Sequence, residues 1–393
     1  MPRIRAFASV RLVLVALAIA VLGVAGCTPI LTVPTSKTHH HANARHHAKA
    51  TSRHKKTQHK RRGRNRRHAH HKARHHGHRP VRHPRRHHVH HAKTPRDTLV
   101  IEPSGGFSSV YRLINSAKHS IEVTMFELAD TTAEHDLAAA AKRGVAVRVI
   151  LDRRETSINS GAMDYLSSHG VEVVWSSPDY TYTHQKTLVF DHSVASVESA
   201  NLTSRYYPSS RDFLVLDTNQ ADISAIIRVF NADFAHKPVK PADGADLVWS
   251  PTDSETHLLA LINGAKENLR IYSEEMGDST VIDALIAAAR RGVNVSVCGE
   301  NSDSEYTETF DRMARDGVHI SYFSSSTGFY IHGKVVMADY GTSRARVFIG
   351  SENFSNTSLN QNRELGLITT SPAIMTAIAH TFAADFAKGH QVK

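Results

Sequence analysis

Two stretches of this 393-residue chain carry the same reactive side chains in the same order. His184, Lys186 and Asp191 return 148 residues later as His332, Lys334 and Asp339, and both copies read HxKxxxxD on a β-rich run. Alternation along a strand places a His and a Lys two apart on one face. An imidazole beside an ammonium suits a phosphate diester. Beyond each copy the correspondence continues at a shift of 152: Ser199 and Asn201 become Ser351 and Asn353, and Asp212 becomes Glu364, preceded by Arg211 and Arg363. The four extra residues fall between Asp339 and Ser351, where a longer hairpin is easily accommodated.

The elements that must position these groups repeat as well. Leu113-Ile114-Asn115-Ser116-Ala117-Lys118 returns as Leu261-Ile262-Asn263-Gly264-Ala265-Lys266, and Ala141-Lys142-Arg143-Gly144-Val145 as Ala289-Arg290-Arg291-Gly292-Val293. In the first copy residues 121–126 read as a strand, 133–143 as an amphipathic helix closed by Gly144, and 145–151 as a buried strand. Residues 269–273, 280–291 and 293–298 match them in the second copy. A strand, helix, strand unit of this length favours parallel pairing through a right-handed crossover. A period this long, present twice, is a duplicated domain rather than a solenoid. The boundary is expected near residues 236–245, where Pro238, Pro241 and Gly244 cluster.

The paired constellations resemble the two HKD motifs of the phospholipase D superfamily, over about residues 97–388. The resemblance implies an α/β architecture of two α-β-α half-domains, 97–240 and 241–393, related by a pseudo-twofold axis. It also implies one active site with both His on one phosphate and no metal or cofactor. One His, by similarity His184, attacks phosphorus to form a phosphohistidine. The other, His332, protonates the leaving alcohol and then activates water or an acceptor alcohol. The chemistry is coherent: the nucleophile must be neutral and the acid charged, so unlike environments divide the work. Lys186, Lys334, Asn201 and Asn353 can hold the non-bridging oxygens. Asp212 and Glu364 can accept the second ring N–H of each His and fix its tautomer.

Other positions take supporting roles. Ser199 and Ser351 accompany the amides. Asp191 and Asp339 lie an odd number of residues after the His and are expected to face away and hold the turn. Where the family commonly has Gly before the Ser, as in Gly350, the first half has Glu198, which alternation points out of the sheet. Glu127 and Glu275 also coincide under the repeat, and either shape substrate choice or, the favoured reading, bond backbone N–H groups at strand ends.

Composition separates the remainder. Residues 37–96 hold twenty Lys or Arg, eighteen His and no Asp or Glu, with almost nothing to build a core, so the segment 28–96 reads as a disordered basic linker. It masks an acidic module: residues 97–393 carry 25 basic against 37 acidic residues, a formal −12. Arg3, Arg5 and Arg11 precede an apolar run, residues 12–24, that ends in Ala25-Gly26-Cys27, which resembles an export signal with a lipobox, residues 1–27, and Cys27 acylated. Cys298, the second cysteine, reads as a small core residue. The expectation is an exported protein of the cell envelope, lipid-anchored or secreted, with the tract held against anionic phospholipid or wall polymers. Two motifs in one chain make an oligomer unnecessary.

The leading expectation is a phospholipase D hydrolysing phosphatidyl head groups, with transfer to other alcohols as an extension. A nonspecific nuclease shares the chemistry, but the acidic module would repel a nucleic acid. Cardiolipin synthesis ranks behind both, because the usual multiple membrane spans are missing. A non-catalytic envelope- or metal-binding protein is disfavoured by the intact motifs.

Overall fold

Two sheets with the same strand order carry the fold in this computed structural model, which describes residues 97–393. The export signal, Cys27 and the basic linker lie outside the described residues. The first sheet runs Asp97–Ile101, Phe213–Asp217, Val194–Glu198, Lys186–Phe190, Ser120–Met125, Ala146–Leu151, Glu172–Trp175. The second runs Leu247–Ser250, Glu364–Thr369, Arg346–Gly350, Lys334–Ala338, Asn268–Ser273, Asn294–Glu300, His319–Phe323, and adds His390–Gln391 at its edge. In each, three strands pair in parallel and the rest antiparallel. The duplication is therefore a property of the fold, and the parallel pairing expected from the strand, helix, strand units is present.

Local chemistry repeats with the sheets. The helix Thr131–Lys142 is capped by Asp130, whose carboxylate accepts from the N–H groups of Thr132 and Ala133. Asp278 does the same for Ser279–Arg290 through Thr280 and Val281. Caps of this kind each contribute about 1 kcal/mol. Gly144 and Gly292 follow these helices at φ +91° and +89°, a left-handed turn that a side chain would strain. Among the described residues no helix is long and apolar enough to cross a membrane.

Three apolar cores result. One lies outside each sheet, beneath its own helices. The third draws Val189, Val197, Phe213 and Val215 from one half and Trp249, Val335, Val347 and Leu365 from the other, so the inner faces of both halves share a core. Every residue of Lys186–Phe190 and of Lys334–Ala338 is buried, because both sheet faces are covered.

The halves also exchange backbone and charge. Tyr330–Ile331, just before His332, pairs in parallel with Ser210–Arg211, just before Asp212. Thr183, just before His184, bridges to Arg363, just before Glu364. The two arginines reach across the same way: Arg211 Nε donates to Asp385 Oδ2 at 2.7 Å, and Arg363 Nη2 to Asp233 Oδ1 at 3.2 Å. These pairs are largely buried, and removing one partner of such a pair costs about 3–5 kcal/mol.

Candidate active site

The crossed strands set each histidine against the carboxylate of the opposite half. His184 Nδ1 lies 2.8 Å from Glu364 Oε2, and His332 Nδ1 lies 2.7 Å from Asp212 Oδ1. Both carboxylates are buried and further fixed. Glu364 Oε1 accepts from Ser358 Oγ and Asn362 Nδ2, while Asp212 accepts from Ser199 Oγ and Ser210 Oγ, each at 2.7 Å. Burial alone would raise their pKa values, but the facing His and the Lys residues hold both below the ordinary carboxylate range. Each ionised carboxylate therefore accepts a hydrogen bond from Nδ1–H, which leaves Nε2 as the ring nitrogen free to react.

His184 is held neutral. Burial, seconded by Lys186 and Lys334, brings it down to about 4 against the pull of Glu364. Its ring meets Phe126 edge-on, with centroids 4.5 Å apart. Lys186 is fully buried, donates to the His184 carbonyl at 2.7 Å and sits 4.9 Å from the Phe126 ring centroid. Burial and the neighbouring Lys334 lower it to about 7. Lys334 donates to the His332 carbonyl at 2.5 Å, the same local contact in the second half. That Lys334 acts on His184 and Lys186, and that Glu127 feels both Lys186 and His332, places the two constellations in one charge cluster.

The amides differ in what they touch. Asn353 Nδ2 donates to Glu274 Oε2 at 3.1 Å, and the Oδ1 atoms of Asn201 and Asn353 are buried without a hydrogen-bond partner. Ser199 Oγ accepts from Phe213 N–H and donates to Asp212, and Ser351 Oγ accepts from Leu365 N–H, so both serines brace the strand that carries the acid. Asp191 accepts from the N–H groups of Lys118, His119 and Ser120, and Asp339 from those of Lys266, Glu267 and Asn268. Both sit at positive φ, 49° and 53°, closing the turn at the far end of the strand from the imidazole.

Glu198 departs from its expected orientation. It does not leave the sheet for solvent but is fully buried, because the face it uses is covered as well. Burial raises it to about 8, so near neutral pH it is protonated beside Ser196 Oγ at 2.6 Å and does not repel phosphate. The second half reaches a similar result from another position. A side chain on Gly350 would start 2.3 Å from Glu352 Oε2, and Glu352, also fully buried, is pushed well up by burial and by Glu364. Glu127 is buried, its Oε2 has no hydrogen-bond partner, and burial raises its pKa. Glu275 accepts from Ser273 Oγ through its backbone carbonyl.

One acid in the cleft lies outside the repeated motifs. Glu274 Oε2 is 2.8 Å from Lys334 Nζ, 3.1 Å from Asn353 Nδ2 and 3.7 Å from His332 Nε2, and its Oε1 accepts from Tyr330 Oη at 2.8 Å. Against burial, Lys334 and His332 hold it well below the ordinary range. The 148-residue shift aligns it with Phe126, and this change of type was the signal available in the sequence.

The family described as Cardiolipin synthase, PLD-like domain matches residues 110–234 and 258–386, once over each half. The chain belongs to the phospholipase D-like family. It is 26% identical over 332 residues to cardiolipin synthase A of Pseudomonas syringae, covering 73% of this chain and 68% of the relative. It is 23% identical over 296 residues to cardiolipin synthase of Clostridium perfringens, covering 63% of this chain and 60% of the relative. Among solved folds, the phosphatidylserine synthase of Haemophilus influenzae superposes with TM-score 0.59 at 12% identity, over 76% of this chain and 88% of that one. These relatives overturn the expectation of a head-group hydrolase acting in lipid degradation. A phosphodiester enzyme of the phospholipase D type stands, but the phospholipase D-like relatives it matches are synthases. The physical reason is that hydrolysis and transfer break the same phosphodiester bond and differ only in whether water or an alcohol receives the phosphatidyl group. The HxKxxxxD motifs specify the shared step and not the acceptor.

Proposed function

We propose that this phospholipase D-like protein is a cardiolipin synthase-like phosphatidyltransferase, moving a phosphatidyl group from one phospholipid to the alcohol of another. The observation that carries the reading is the match of both halves to cardiolipin synthases, in a chain that sets each imidazole against the other half's carboxylate.

His184, neutral and with Nδ1–H donated to Glu364, attacks phosphorus through the Nε2 lone pair. A P–N bond forms as the P–O bond to the leaving head group breaks, and His332 Nε2 gives its proton to the departing oxygen. Lys186, Lys334, Asn201 and Asn353 take the growing charge on the non-bridging oxygens. The acceptor hydroxyl then delivers its proton to His332 Nε2 while its oxygen attacks phosphorus, the P–N bond breaks and His184 is restored. Asp212 and Glu364 hold both rings throughout and do not exchange protons.

Cardiolipin joins two phosphatidyl groups through one glycerol, so its synthesis by this route uses phosphatidylglycerol as donor and as acceptor. Acylation at Cys27 and the basic linker would bring the cleft to such a bilayer at the cell envelope. Incubating the protein with phosphatidylglycerol vesicles and resolving the lipid products by mass spectrometry tests the reading. The expected products are cardiolipin and free glycerol in equal amounts, unaffected by EDTA. Phosphatidic acid as sole product would refute it.

A further inference from the structure

The two halves repeat every group used in the reaction above, yet at one cleft position they differ in kind. Phe126 lies against His184 and Lys186, and Glu274, at the same repeat position, lies against His332, Lys334 and Asn353. The carboxylate is not loose. Lys334, Asn353 and Tyr330 fix both its oxygens, and its side chain is 10% exposed. Its Oε2 is 3.7 Å from His332 Nε2, the atom that must hold the proton of the reacting alcohol.

A fixed anion at this place has three consequences. It takes one N–H of Lys334 and one of Asn353 and leaves each a further N–H, so a bound phosphate is shared between these groups and Lys186 of the first half. It repels an acceptor that sets a negative group, in place of a hydroxyl, against its oxygens. It offers lone pairs to a neutral donor within one small molecule's reach of Nε2. A second cation would be poorly received, since Lys334 already balances the carboxylate and burying another charge costs more than burying a hydroxyl.

Building on the phosphatidyltransferase reading, we propose that Glu274 selects the acceptor, binding one hydroxyl of a vicinal polyol while the neighbouring hydroxyl is presented to His332. Water and simple alcohols, having one oxygen, cannot span both groups. The acid thereby makes the second half the alcohol side of the site and favours transfer over hydrolysis. Phe126, with no polar atom, keeps the first half for the nucleophile.

The test uses phosphatidylglycerol vesicles with equal concentrations of propane-1,2-diol and propan-1-ol, which differ by one hydroxyl, and reads the ratio of the two phosphatidyl products by mass spectrometry. A hydrogen bond to a buried charged group discriminates by about 10- to 100-fold, and the wild-type protein is expected to favour the diol by that factor. Glu274→Phe, copying the first half, brings the ratio to near one, and Glu274→Gln, which keeps an acceptor oxygen without the charge, falls between. A ratio unchanged from wild type in Glu274→Gln, or in a Glu274→Phe protein that still transfers, overturns the proposal and leaves the transferase reading intact. A wild-type protein that converts the lipid only to phosphatidic acid defeats the transferase reading itself.

Discussion

The first and second halves share a strand order, a pair of helix caps, a pair of left-handed glycines and a pair of crossed arginine bridges, yet their cleft faces are chemically opposed. His184 is buried against an aromatic ring, with a carboxylate only behind it; His332 lies between two carboxylates, Asp212 at Nδ1 and Glu274 facing Nε2. The backbone between motif residues differs accordingly. A side chain on Gly333 would meet the Phe213 ring at 2.6 Å, whereas the equivalent Gln185 faces a half whose corresponding residue is Leu365. Duplication supplied two imidazoles, each held by the other half's carboxylate, and divergence of their neighbours gave one an aromatic ring and the other a second carboxylate. Because each His is held by the other half's acid, neither half contains a complete site.

The largest effects expected from this contrast come from the crossed carboxylates. Glu364→Gln, a change in the second half, should slow attack by His184 on the order of 10³-fold whether the leaving group is an alkyl alcohol or nitrophenol, because the wrong tautomer is favoured. Asp212→Asn should slow release of the alkyl alcohol comparably and leave release of nitrophenol, which needs no proton, nearly unchanged. Pre-steady-state burst rates on the two substrates, which isolate the first step from resolution by the acceptor, separate these outcomes, and equal sensitivity in both variants would erase the assigned division. A smaller effect concerns Lys186. Lowered to about 7 by burial and by Lys334, it loses its charge as pH rises through that value, so kcat/KM should fall on the alkaline side with a midpoint near 7. Lys186→Arg should remove that limb and Lys334→Arg should leave it. The smallest effect is on stability. Glu198 is raised from 4.5 to about 8, so the stability of its protonated form is full below about pH 4.5 and is lost as pH rises to about 8. Glu198→Gln should therefore melt with wild type at pH 4.5 and at least about 2 °C above it at pH 8 by calorimetry.

Much of this was legible in the chain. The 148- and 152-residue shifts identify both motifs, both acids and the strand, helix, strand units, because duplicated packing preserves residue types in register. The crossing of Glu364 to His184 and of Asp212 to His332 was not legible, since it depends on Thr183 pairing with Arg363 and Ile331 with Arg211, contacts separated by more than a hundred residues. Glu198 misled for a simple reason: alternation assigns a residue to a face, but a sheet covered on both faces has no solvent side. Glu274 escaped because attention to what repeats passes over the one position where Phe gives way to Glu. The acceptor class also lay beyond the motifs, which record how phosphorus is attacked and not which oxygen follows.

In the proposed mechanism His184 carries the phosphatidyl group and His332 carries the proton. Mixing His332→Ala with a phosphatidyl nitrophenyl ester, quenching and mapping the adduct by peptide mass spectrometry tests it directly. One equivalent of nitrophenol should be released in a burst, with one phosphatidyl group on the peptide containing His184, and His184→Ala should give no burst. A burst from His184→Ala, or an adduct on any other residue, would contradict it.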